Sequence, residues 1–162
     1  MYVVRPMTAA DLPLVAVWRA RPHVLQWWNT PPDDLAAETV DDATISVWIA
    51  EWDGRPIAYI QDYRVHDWPG HHFSFLPVGS RGMDILIGEP DLIGAGHGTQ
   101  IVGRHVGTLF ARGVPAMGID PHPDNAAARR AYAKAGFVEV DGRPADTEWG
   151  VSILMTRHAA RR

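Results

Sequence analysis

A chain of 162 residues has the length of one ordinary domain, and 46% hydrophobic content is enough for a packed core. Seven Trp, 21% charged residues and no low-complexity run exclude disorder as the overall state, while the lack of Cys excludes a disulfide scaffold, a thiolate metal centre and a cysteine nucleophile. A net charge of −4 argues against a nucleic-acid partner, whose phosphates need a basic face.

The start, Met1-Tyr2-Val3-Val4-Arg5-Pro6, lacks the basic and apolar regions of a signal peptide. No apolar run approaches the roughly 18 residues of a membrane span. The expectation is a soluble cytoplasmic protein with no membrane partner. Val3-Val4-Arg5 reads as a short strand, and Thr8-Ala9-Ala10-Asp11 as a capping box opening a helix through about Arg19. Residues 22–43 read as a helical pair broken at Pro31-Pro32, with Leu25, Trp27 and Trp28 offering apolar surface beside a turn. Residues 45–52 and 57–63, joined by Asp53-Gly54, carry the strongest hairpin signal in the chain. The stretch from His66 to Ser80 has no period and is expected to be a loop bordering a site.

Residues 83–87 read as a buried strand, followed by Gly88-Glu89-Pro90-Asp91 and a glycine cluster. Ile101, Val102, Val106, Leu109 and Phe110 then recur at helical spacing from about Gly98 to Arg112. Pro115 to Asp120 is a further strand; Asp124 or Asn125 caps a helix running to Ala135, and Gly136 stops it before the apolar start of residues 137–140. Trp149 to Thr156 is the last strand. No repeat or linker interrupts the chain. The expected fold is therefore a single α/β domain over residues 1–162, with a mixed sheet whose antiparallel strands come first and whose strand–helix crossovers come later.

Charge is unevenly spread. Nine acids face two bases between Asp33 and Asp67, whereas five bases face two acids between His97 and Lys134. Such a chain can hold a cationic ligand beside an anionic one, and solvated faces are the plain alternative.

Gly94-Ala95-Gly96-His97-Gly98-Thr99 lies between a strand and a helix, where glycines let backbone amides approach an anion and the helix dipole favours negative charge. No Gly-Lys-Ser/Thr follows, so it is not a P-loop, and its mid-chain position disfavours a dinucleotide fold. Downstream stand Asp120-Pro121-His122-Pro123-Asp124-Asn125 and Tyr132-Ala133-Lys134-Ala135-Gly136-Phe137. Over residues 83–137 this order and spacing resemble the GNAT acyltransferase superfamily, in which the glycine loop receives the pyrophosphate of acetyl-CoA. Ile93 departs from the Gln or Arg frequent at the head of that loop motif. A narrower resemblance, carried by residues 81–90, Trp27-Trp28 and Asp120-Pro121, is to the small aminoglycoside 6′-N-acetyltransferases.

The resemblance implies acetyl-CoA as cosubstrate and a small cationic amine, foremost the 6′-amino group of an aminoglycoside, as acceptor. Asp84 is the first candidate for binding the ammonium and removing its proton. Tyr132 matches the family position that protonates the departing thiolate. The thioester oxygen needs a donor, expected from a strand amide around Leu86 or Ile87. Cofactor contacts are expected from Ile85, Leu86, Ile87, the loop residues Gly94, Ala95, Gly96, His97, Gly98 and Thr99, and from Asn125 on the pantetheine arm. Acceptor contacts are expected from Asp84, Asp120, Glu89, Asp146, Glu148 and at most one of Trp27 and Trp28. Plain alternatives are a core role for Tyr132 and a turn-starting role for Asp120. His71, His72, His97 and His122 show no recognised metal spacing, and thioester acyl transfer needs no metal. A different amine (a polyamine, a siderophore intermediate, a protein amino terminus) or a non-catalytic acyl-CoA sensor remain alternatives, and the oligomeric expectation is monomer or homodimer.

Overall fold

The strands and helices are β1 (Tyr2–Pro6), α1 (Leu12–Arg19), α2 (Pro22–Leu25), β2 (Ile45–Trp52), β3 (Arg55–Arg64), β4 (Arg81–Ile87), α3 (His97–Ala111), β5 (Ala116–Ile119), α4 (Ala126–Lys134), β6 (Val138–Thr147) and β7 (Gly150–His158). They come from a computed structural model that describes residues 1–28, 40 and 42–161. Pro31-Pro32 and most of the second half of the expected helical pair lie outside the described residues; of that pair, α2 is a single turn.

All seven strands join one sheet in the order β1-β2-β3-β4-β5-β7-β6. The β2–β3 hairpin turns through Asp53 and Gly54 with φ of 50° and 79°, the two left-handed positions of a type I′ turn. Thr8 donates its amide to the Asp11 carboxylate at 2.9 Å, as the capping signal predicts, although the segment starts as a 3₁₀ turn at Ala9–Asp11 before α1. Asn125 caps α4 by accepting from the Ala128 amide, and Gly136 follows it with φ 93°. β6 runs longer than expected, to Thr147, with an irregularity between Glu139 and Pro144. It is an edge strand, so a proline is tolerated there.

The two faces of the sheet are packed differently. Ile101, Val102, Val106 and Leu109 of α3 bury against Ile60, Met83, Met117 and Met155. On the opposite face Val15 and Trp18 of α1 pack on Ile49, Tyr59 and Leu86. The loop between β3 and β4 adds a third cluster, Val65, Phe73, Leu76 and Ala116. On the second face, glycines let aromatic rings lie on the sheet. A Cβ at Gly82 would stand 2.4 Å from the Tyr63 ring, one at Gly88 2.1 Å from Trp18 and one at Gly118 2.7 Å from Phe73.

The central feature is the junction of β4 and β5. They pair in parallel only at Arg81↔Met117 and Gly82↔Gly118. β5 then ends at Ile119, before Asp120-Pro121, and the Pro121 carbonyl accepts from Ile153 of β7 at 2.8 Å. Beyond this point the two strands part and open a wedge in the middle of the sheet.

Candidate active site

The wedge is the floor of a cleft of about 510 Å³. β4 lines one wall with Asp84 to Ile87, and β5 leads into the other at Ile119 and Asp120. The glycine loop and α4 close one end; His23, Val24, Trp27 and Trp28 border the other.

Strand alternation decides which groups of β4 face the wedge. Gly88 donates its amide to Ile57 at 2.9 Å and Ile87 stands opposite Ala58, so the ladder engages the backbone of Leu86 and Asp84 with β3. The backbone groups of Ile85 and Ile87 point instead toward the gap left by β5. Of the two amides expected to face the thioester, that of Leu86 is engaged with β3, whereas that of Ile87, together with its neighbour Ile85, faces the gap. Leu86 contributes a side chain to the α1-side core. The Ile87 carbonyl is met at 2.9 Å by Nε2 of His23, which ties α2 across the open edge.

Side chains follow the same period: Gly82, Asp84 and Leu86 face the α1 side, as do Tyr59, Gln61 and Tyr63 of β3. Gln61, directly opposite Asp84, donates to its Oδ2 at 2.9 Å. Burial raises the Asp84 carboxyl up to about 7, the neighbouring charge of Asp120 adds to this, and Gln61 and His72 oppose it. Asp120 emerges from β5 on the same face, with His72 Nε2 2.9 Å from its Oδ2. Tyr132 of α4 lines the cleft, and burial together with the Asp84 and Asp120 charges holds its hydroxyl in the protonated form, well above its ordinary range.

Gly94, Gly96, Gly98 and Thr99 line the far end of the cleft. Gly96 caps α3 with φ 88°, a conformation that disfavours any residue with a Cβ, and Gly94 has φ 78°. The first-turn amides of His97, Gly98 and Thr99 have no intrahelical acceptor, and no acid sits in that turn. Arg130 and Lys134 line the same end without an acidic partner among the described residues. A polyanion is thus offered amides, a helix dipole and two cations.

The other expected positions are placed as follows. The His97 side chain turns inward, hydrogen-bonded to Tyr2 at 2.8 Å and packed on Trp52, so only its amide is available to a ligand. Ala95 stands in the loop outside the cleft lining. The Thr99 hydroxyl is spent on the Ala131 carbonyl, linking α3 to α4. Asn125 lines the cleft while its Oδ1 caps α4, leaving its amide hydrogens. Trp28 packs on Tyr59 and the α1 core; Trp27 lies against His122. Glu89 does not line the cleft: Trp18, Arg21 and Arg55 hold its carboxylate, and the Trp18 bond leads in keeping it below its ordinary range. Asp146 and Glu148 are exposed in the β6–β7 hairpin, away from the cleft. Sequence reasoning did not single out Gln61, Arg130, Lys134 or the engagement of His72. Gln61 shares a strand face with Tyr59 and Tyr63, but only the β3–β4 register brings it opposite Asp84.

The sequence profile of the GNAT acetyltransferase domain matches residues 7–143. The chain belongs to the GNAT acetyltransferase family. It is 31% identical to the aminoglycoside N(6′)-acetyltransferase type 1 of Klebsiella pneumoniae, over 98% of this chain and 84% of that protein. The Serratia marcescens enzyme of the same name matches equally. Among solved structures, this GNAT fold superposes with a TM-score of 0.86 on the aminoglycoside acetyltransferase AAC(6′)-Ib in complex with coenzyme A and kanamycin. There the identity is 28%, covering 98% of this chain and 95% of that one. The fold class and the N-acetyltransferase assignment read from the sequence are thereby established. Among the described residues no group of His, Asp or Glu is placed to hold a metal ion, and no helix is long and apolar enough to cross a membrane.

Proposed function

We propose that this GNAT enzyme transfers the acetyl group of acetyl-CoA to a primary amine of a cationic aminosugar, with the 6′-amino group of an aminoglycoside as the acceptor. The observation that carries the reading is the placement of Asp84, Asp120 and Tyr132 around one wedge whose far end is built for a polyanion. The similarity to enzymes named for that reaction, over nearly the whole chain, supports it.

The chain's residues divide the work by position. Amides at the start of α3, with Arg130 and Lys134, hold the phosphates of the cosubstrate, and Asn125 orients its arm. Free amides of Ile85 and Ile87 donate to the thioester oxygen as it gains charge. The thioester supplies an activated acetyl group; everything else is proton management. An acceptor amine arrives as an ammonium, which Asp84 and Asp120 attract. Asp84 takes its proton, directly or through water, because its raised carboxyl is a competent base near neutral pH. Gln61 keeps the Asp84 carboxylate aimed at the wedge. Tyr132 donates its proton to the departing thiolate. Trp27 borders the acceptor end, where an aromatic face suits a sugar ring.

Thiol release from acetyl-CoA, measured with purified protein against aminoglycosides, polyamines and peptides, tests the assignment. Turnover confined to aminoglycosides carrying a 6′-amino group is the expected result. Turnover only with a polyamine or a peptide amino terminus would keep the family chemistry and discard the acceptor.

A further inference from the structure

Against Asp120, outside the cleft lining itself, stands a pair of imidazoles that the chemistry above does not use. His71 and His72, from the loop between β3 and β4, stack with ring centroids 4.0 Å apart. The Phe73 ring stands 4.7 Å from His72 and fills the space over Gly118, fixing the loop against β5. His71 is anchored twice: Nε2 meets the Tyr63 hydroxyl at 3.2 Å, and Nδ1 accepts from the Phe73 amide at 3.1 Å. Tyr63 is itself seated on the sheet by the missing side chain of Gly82. The outcome of this bracing is His72 Nε2 at 2.9 Å from Asp120 Oδ2, both side chains only 11% exposed.

The His72 ring meets Asp120 obliquely, so the 2.9 Å approach is a close charge contact and not a hydrogen bond, and Nε2 has no hydrogen-bond partner among the described residues. The charged and titratable groups facing the pair are His71 from the same loop, Tyr63 from β3, Asp84 from β4 and Tyr132 from α4. Burial, helped by the neighbouring His72, pushes His71 down to about 4, so it remains neutral. His72 is thus the group in this cluster placed to offset the charge of Asp120.

We propose that His72 is a positioning residue of the acceptor site: held by His71 and Phe73, it fixes Asp120 and sets how strongly the two carboxylates of the wedge repel one another. Without it, Asp120 stands uncompensated beside Asp84, and Asp84 ionises at higher pH. With it, Asp84 is available as a base at lower pH, and Asp120 keeps one oxygen for an acceptor ammonium. The inference rests on the proposed role of Asp84 for its consequence in catalysis, but the coupling itself does not require turnover.

The test is the ionisation midpoint of Asp84, followed by carbon-detected NMR of the side-chain carboxyl in the acceptor-free protein. His72→Phe keeps the packing and removes the N–H; it is expected to raise the midpoint by about half a pH unit or more. His72→Gln keeps a donor without the imidazole and is expected to raise it by less. An unchanged midpoint in folded His72→Phe overturns the proposal; should that variant fail to fold, an unchanged midpoint in His72→Gln does so. If acetyl transfer is observed, the acidic limb of the kcat/KM profile moves with the NMR midpoint. An NMR shift without any acetyl transfer would preserve the coupling and reject the catalytic reading instead.

Discussion

As the proposed base, Asp84 sets stability against chemistry. Its carboxyl is raised above the ordinary value, so its ionised form opposes folding. The penalty is absent below pH of about 4, grows as pH rises toward about 7 and is complete above it. Asp84→Asn is therefore expected to raise stability at pH 8.5 by about 1–3 kcal/mol with little effect at pH 4.5, as measured by urea unfolding at both pH values. The same substitution is expected to lower kcat by about 100-fold or more, the scale of losing a general base. Tyr132→Phe belongs to the other end of proton transfer. It is expected to reduce kcat by about 10- to 100-fold while the CoA dissociation constant, read by calorimetry, stays within about twofold. Equal losses in both would make Tyr132 a packing residue. Both positions were singled out in the sequence through the family resemblance of the segments they stand in, and both line the cleft. Gln61 was not, since nothing in a strand of alternating residues announces which one faces Asp84 until the β3–β4 register is known.

The elements show where pattern reading reaches its limit. Asp53-Gly54 between two alternating runs, and Asn125 with Gly136 around a short Ala-rich helix, are local signals, and the corresponding turn and caps are present. The wedge is not local. It arises because β4 and β5 share only two paired positions, and no single segment of sequence encodes where two distant strands cease to pair. Glu89 shows the same limit in reverse: an acid beside the motif is neutralised by Arg21 and Arg55, which lie 68 and 34 positions away in the chain. The glycines of the acceptor face are equally non-local. Gly82→Ala would place a Cβ 2.4 Å from the Tyr63 ring, displacing the residue that anchors His71. It is expected to cost about 1–3 kcal/mol in urea unfolding and to weaken acceptor binding, seen as a raised acceptor KM, more than acetyl-CoA binding. Unchanged stability would show that the ring relaxes without consequence.

At the scale of the whole molecule, charge is divided between the two ends of one cleft. Asp84 and Asp120 occupy the acceptor end; Arg130 and Lys134 stand with the α3 amides at the other. The net charge of −4 conceals this division, and the charge pattern of the sequence holds only its basic half: Arg130 and Lys134 lie in the base-rich stretch, but so does Asp120, Asp84 lies in neither stretch, and no described acid between Asp33 and Asp67 lines the cleft. Replacing Arg130 and Lys134 together with Ala is expected to weaken CoA binding by about 10-fold or more and to flatten its dependence on salt, because exposed cation–phosphate attraction is screened. Calorimetry at two ionic strengths reads both effects. The central claim is that the division of charge brings a 6′-amine to the acetyl thioester. It is tested most directly by incubating the protein and acetyl-CoA with two aminoglycosides that differ only in a 6′-amino or a 6′-hydroxyl group, and locating any acetyl group by mass spectrometry and NMR. One acetyl group on the 6′ nitrogen of the first, with the second unmodified, is the predicted result. Acetylation of both at another nitrogen, or of neither, would contradict it.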